Sequence, residues 1–106
     1  MADANDHLTI ETTSEGSEAR VTLTGELDAH TAPALSEAIA AVLDGGAERL
    51  VIDAAALRFC DSSGIQVLVQ ARERLVDGGG SVVIEGAQRS VEKVFAVTGL
   101  LDLFTD

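Results

Sequence analysis

Residues 50–84 read LVIDAAALRFCDSSGIQVLVQARERLVDGGGSVVI. The stretch opens on Leu50-Val51-Ile52, a continuous apolar run of the kind found in strands covered on both faces. It closes on a second such run, Val82-Val83-Ile84. Between the two, Ile65, Leu68, Val69, Leu75 and Val76 recur at helical spacing, and Gly78-Gly79-Gly80 stops that helix. A strand, a helix and a strand in this order call for a right-handed crossover and parallel pairing.

The pattern extends in both directions. Upstream, Leu35, Ala38, Ile39, Val42 and Leu43 fall at i, i+3, i+4, i+7 and i+8, which predicts an amphipathic helix. Thr31 suits its N-cap, Pro33 its first turn, and Gly45-Gly46 its end. Further upstream, Leu8, Ile10 and Thr12, then Val21 and Leu23, alternate with polar residues around a Glu15-Gly16-Ser17 turn, a hairpin that Gly25 ends. Downstream, Val91, Val94, Phe95 and Thr98 make a third helical stripe closed by Gly99, and Leu100 to Phe104 suit a last short helix or strand. The order is ββαβαβα. It predicts an α/β domain: a small mixed, largely parallel β-sheet with helices packed on it. One domain is expected over residues 1–106, with residues 1–6 a frayed tail.

Size and charge bound the function. A chain of 106 residues buries about two-thirds of its unfolded surface, enough for one core. An apolar fraction of 46% argues against disorder. The formal net charge is -11. Nucleic acid and anionic membranes are poor partners for it, because both need Lys and Arg. A partner with a basic or mixed face is favoured. Residues 1–18 carry five acids and no Lys or Arg, whereas residues 54–106 carry seven acids against five bases. The lone Cys60 excludes an internal disulfide and a multi-cysteine zinc site. MADANDHL is no signal peptide, and no apolar run would span a bilayer, so a soluble cytoplasmic protein is expected.

In sheets of this kind, sites lie in loops at the carboxyl ends of strands. Gly25-Glu26-Leu27-Asp28-Ala29-His30 and Phe59-Cys60-Asp61-Ser62-Ser63-Gly64 are the two candidates. Ser63 and Gln66 match an S-x-x-Q capping box, which leaves Ser62 just outside the helix, accessible and without a structural task. From spacing alone, Asp-Ser-Ser-Gly before a helix reads first as a cap. Asp28 reads as an Asx-turn or an outer cap. Cys60 reads as a small buried residue or as a redox handle, and neighbouring acids disfavour its thiolate. A Ser62–His30–Asp28 hydrolase triad can be written, but Ser62 lacks the G-x-S-x-G elbow. His7 and His30 have no metal-ligand spacing, and Gly78–Gly80 lacks a phosphate-loop pattern.

Four blocks occur in order: Gly25-Glu26-Leu27-Asp28, Thr31-Ala32-Pro33, Asp61-Ser62-Ser63-Gly64-Ile65 and Val94-Phe95-Ala96-Val97-Thr98-Gly99-Leu100. Together they resemble a STAS domain, specifically the single-domain anti-sigma factor antagonists of bacteria, from about Leu8 to Phe104. The resemblance implies that Ser62, the first serine of Asp-Ser-Ser-Gly, is a phosphoacceptor. It implies an anti-sigma factor with serine kinase activity as partner, with ATP held by that partner, and a serine phosphatase that restores the free state. The unphosphorylated chain would bind the anti-sigma factor and release the sigma factor. Glu26, Asp28, Thr31, Asp61, Ser62, Ser63, Gly64 and Ile65 are then expected at the partner surface. No catalytic residue, cofactor or metal is implied on this chain. Two alternatives stay open: another STAS role, as accessory subunit of a lipid transporter or a stressosome-like scaffold, and, from a different class, the serine hydrolase.

Overall fold

The computed structural model describes residues 7–97. Its elements are β1 (Leu8–Glu15), β2 (Glu18–Leu27), α1 (Ala32–Asp44), β3 (Arg49–Cys60), α2 (Ser62–Asp77), β4 (Ser81–Glu85) and α3 (Arg89–Val97). The strands form one four-stranded sheet in the order β1-β2-β3-β4. β1 and β2 are an antiparallel hairpin whose turn is made by Gly16, at φ +62, and Ser17. β2 with β3, and β3 with β4, are parallel. This is the mixed, largely parallel α/β architecture that the element order predicts. The expectations for residues 1–6 and for Thr98 to Phe104 lie outside the described residues.

The central run is buried as its sequence demands, with Leu50 0%, Val51 2% and Ile52 1% exposed. In Val82-Val83-Ile84 only Val82 is fully buried, because β4 is the short edge strand. Leu35, Ile39 and Leu43 of α1, Ile65, Leu68, Ala71 and Leu75 of α2, and Val91 and Phe95 of α3 join the inward strand residues in one cluster. Val76, expected in the α2 stripe, is exposed, since it lies one step round the helix from Leu75. On β2 the residues that alternate outward, Arg20, Thr22, Thr24 and Glu26, are polar, and Arg20 lies between Asp53 (3.6 Å) and Glu85 (3.1 Å).

Two boundaries differ from expectation. β3 runs to Cys60 rather than stopping after Ile52, and β2 runs through Gly25 to Leu27. The cause is a double irregularity in the β2–β3 ladder. Thr22 pairs Asp53 but Thr24 pairs Ala56, and Gly25 pairs Leu57 but Glu26 pairs Phe59. Each time β3 carries one residue more than β2, as in a β-bulge. The β3 residues that join the core cluster are therefore Leu50, Ile52, Ala54, Leu57 and Cys60, a spacing that strict alternation does not find. Gly25 sits at the second irregularity with φ +117, a conformation that suits glycine.

β4 pairs with β3 only as far as Asp53↔Glu85. Beyond that point the approach to α3 supplies side chains to the β3 edge. Gln88 Nε2 donates to the Ala55 carbonyl (2.8 Å) and Ser90 Oγ to the Arg58 carbonyl (3.3 Å). The long strand that carries the site is thus held on both sides.

Candidate functional site

β2 and β3 end level with each other, at the Leu27↔Cys60 pair. Neighbouring strands lie about 4.8 Å apart, so the segments that follow emerge side by side. The Asp61 amide donates to the Leu27 carbonyl (3.1 Å) and joins them. Both candidate loops do share one end of the sheet, and the second is far shorter than its sequence suggests. Phe59 and Cys60 belong to β3, and Ser62 already belongs to α2, so Asp61 alone links strand to helix.

Asp61, not Ser63, caps α2. Its backbone is extended (φ -106, ψ -173), and Oδ1 accepts from the amides of Ser63 (2.9 Å) and Gly64 (3.4 Å). The expected Ser63–Gln66 capping box is thereby displaced by two positions. Asp and Ser are comparable N-caps, and a carboxylate gains further from the positive end of the helix. Ser62 is the first helical residue, not a residue outside the helix, and it is exposed. Ser63 and Gln66 instead line a shallow groove between α1 and α2, with Ala29, Ala32, Pro33 and Ser36. Asp61→Ala should cost about 1 kcal/mol, the usual loss for an N-cap, read as a lowered denaturant midpoint at unchanged slope.

The start of α2 is packed against β2. A Cβ on Gly64 would lie 2.5 Å from Leu27 Cγ and 3.0 Å from Cys60 Sγ. Glycine therefore lets the first turn seat directly over the strand end. Leu27, read from sequence as part of the Gly25–His30 loop, is the last residue of β2, and its carbonyl and side chain both position the second loop. Nothing in its local sequence marks it beyond being an inward strand residue.

Asp28 forms the Asx-turn read from its sequence. Oδ1 accepts from the amides of His30 (2.9 Å) and Thr31 (3.0 Å). The Thr31 amide above all, and then the His30 amide and the Thr31 hydroxyl, hold its carboxyl below the ordinary value of 3.8 against partial desolvation. Oδ1 of this carboxylate is engaged with the backbone amides of its own turn rather than with the His30 ring. Thr31 occupies the N-cap position of α1 but makes no side-chain cap bond. Its hydroxyl turns back, donating to the Glu26 carbonyl (3.0 Å) and accepting from the Asp28 amide (2.9 Å).

The residues expected at a partner surface separate by exposure. Ser62 is exposed, and Glu26, Asp28, Asp61 and Ser63 are half-buried. Thr31 (0% exposed), Ile65 (5%) and Gly64 are buried and support the loops from beneath. Glu26 points outward between His7 (3.9 Å) and Arg58 (3.9 Å), pairs too long and too wet to contribute much.

Cys60 is 1% exposed. Burial, and secondarily the Asp61 charge, push its thiol up to about 12. Of the two readings of this residue, its burial favours the small core residue, and the raised thiol disfavours a reactive thiolate near neutral pH. A thiol reagent at neutral pH is expected to leave the native protein unmodified and to label it fully in denaturant. Rapid labelling of the folded chain would contradict this burial. Among the described residues, no group of three or more His, Cys, Asp and Glu is placed to hold a metal, and no helix is long and apolar enough to cross a membrane.

Residues 10–105 match the family model described as Mlab, STAS domain. An anti-sigma-B factor antagonist of Staphylococcus aureus is 29% identical over 97 residues, covering 92% of this chain and 90% of its own length. The crystal structure of an anti-sigma factor antagonist from Mycobacterium paratuberculosis is 33% identical, with a TM-score of 0.80 over 96% of this chain and 86% of that one. The anti-sigma factor antagonist SpoIIAA in its unphosphorylated form superposes with a TM-score of 0.82 over 92% of this chain and 87% of its own. At 24% identity that last likeness speaks for the fold alone.

Proposed function

This chain belongs to the STAS domain family, and from that premise we propose that it is an anti-sigma factor antagonist switched by phosphorylation at Ser62. In the unphosphorylated state it binds an anti-sigma factor that is also a serine kinase, and the sigma factor is released. The same partner holds ATP. The Ser62 hydroxyl oxygen bonds to the γ-phosphorus, the bond to the β-phosphate bridging oxygen breaks, ADP leaves with that electron pair, and the hydroxyl proton passes to solvent. A serine phosphatase hydrolyses the phosphoserine and restores the binding state. The chain itself works as a cytoplasmic binding module rather than an enzyme, with no cofactor of its own.

One observation carries this reading. Ser62 is exposed at the first position of α2, and the Asp61–Leu27 bond sets it beside the Asp28 loop. A kinase that reaches the hydroxyl must also cover Asp28 and Asp61. Binding and modification therefore use one surface, as a switch requires. Glu26, Asp28, Asp61, Ser62 and Ser63 supply its contacts, while Thr31, Gly64 and Ile65 act through backbone position.

The test incubates the chain with candidate ATP-binding serine kinases and maps the phosphate by mass spectrometry. Phosphate on Ser62, with retention of the kinase by the unmodified chain only, is the expected result. Phosphate confined to Ser63, or retention of a transporter ATPase in place of a kinase, would overturn it.

A further inference from the structure

Thr31 carries the only fully buried polar side chain among the described residues. Its hydroxyl accepts from the amide of Asp28 (2.9 Å) and donates most closely to the carbonyl of the last outward residue of β2 (Glu26, 3.0 Å), with Asp28 Oδ1 (3.3 Å) and the Asp28 carbonyl (3.4 Å) also within reach of the same proton. Asp28 answers through its side chain, with Oδ1 on the Thr31 amide (3.0 Å) and on the His30 amide (2.9 Å). The arrangement is reciprocal: each residue's side chain holds the other's backbone. An N-cap threonine usually spends its hydroxyl on its own helix. Here it ties the start of α1 to the end of β2 instead, and that strand end is bonded in turn to Asp61.

We propose that Thr31 is a positioning residue of the partner surface: its buried hydroxyl latches the Asp28 carboxylate in place beside Ser62, so that the partner meets a preformed anion rather than a mobile loop. The inference rests on the reading of this surface as the kinase-binding site. A loop ordered before binding costs less to immobilise on binding. The latch therefore acts on recognition of the chain by the kinase, and not on transfer of the phosphoryl group to Ser62.

Removing the hydroxyl while keeping the shape isolates its effect. In Thr31→Val, the Asp28 carboxyl, followed by NMR, is expected to titrate closer to its ordinary 3.8, and Thr31→Ser to return it to the wild-type position. Affinity for the unphosphorylated-state partner should fall about tenfold in Thr31→Val, the scale of one misplaced charged hydrogen bond, and recover in Thr31→Ser. In phosphorylation assays the KM for the chain rises by the same factor while kcat is unchanged. Loss of fold stability alone would not shift the Asp28 titration or split KM from kcat in this way. An unmoved Asp28 titration, an unmoved affinity, or a serine variant that restores neither would overturn the proposal. Should Thr31→Val not fold, hydrogen exchange of the wild-type Asp28 amide decides: protection is expected, and exchange at the unstructured rate would overturn the latch. Asp28→Ala separates the two levels. If that variant binds the partner normally, the reading of the surface fails, while the latch is still judged by titration and exchange.

Discussion

Stoichiometric phosphate on Ser62 is expected to weaken binding to the proposed anti-sigma kinase about a hundredfold or more. A phosphoserine adds roughly -1.5 to -2 charges at neutral pH. Asp61 Oδ1 already takes the Ser63 and Gly64 amides, so those two donors of the helix terminus are not open to the phosphate. Asp28 lies across the paired strand ends, so the new charge joins two existing carboxylates. Like-charge placement in a desolvated interface costs several kcal/mol. Taking about 3 kcal/mol, at about 1.4 kcal/mol per factor of ten, gives the stated loss. Isothermal titration of the partner with the unmodified chain, the phosphoform, Ser62→Asp and Ser62→Ala reads it directly. Ser62→Ala should bind as wild type and Ser62→Asp should lose part of the affinity. Equal affinities for the unmodified and phosphorylated chains would rule out the switch. The overall net charge is not the lever: on a chain of -11, two further charges matter only where the surface is desolvated.

Gly25→Ala is expected to be the most damaging single methyl in the described structure. Its φ is +117, and a Cβ would overlap the backbone carbonyl oxygen of His7, which accepts the Glu26 amide (2.7 Å). Backbone cannot step aside as a side-chain tip does. Strained φ and overpacking together cost about 3 kcal/mol or more, which lowers Tm by about 12 °C or more in a domain of this size. Gly16→Ala is the control. It too has positive φ (+62), but no atom lies within 4 Å of the added carbon, so about 1 kcal/mol is expected. Thermal unfolding of the two variants side by side measures the difference. Similar Tm values for both would show that the His7 contact gives way easily.

Much of the fold is legible in the chain because its signals are local. Leu50-Val51-Ile52 between two amphipathic stripes leaves few alternatives to a parallel strand covered by helices. The second half of β3 is not legible. Asp53-Ala54-Ala55-Ala56 has weak strand propensity, and the two bulges shift the buried positions to Ala54, Leu57 and Cys60. Only pairing with β2 makes that segment a strand. The cap of α2 is ambiguous for a different reason: Asp61 and Ser63 are both good caps two positions apart. Their choice depends on where β3 ends, which the local sequence does not reveal.

By itself the sequence determined the α/β class and the element order, and it picked out Asp-Ser-Ser-Gly and Gly-Glu-Leu-Asp as the candidate segments. These follow from periodicity and residue chemistry, which act over a few residues. The tertiary structure decided that the two segments meet, through the Leu27↔Cys60 pair and the Asp61–Leu27 bond. It also decided that Asp61 caps while Ser62 is exposed, and that Thr31 faces Asp28 rather than its own helix. Each of those outcomes depends on the register between strands joined through α1, and register is set by packing across the whole sheet.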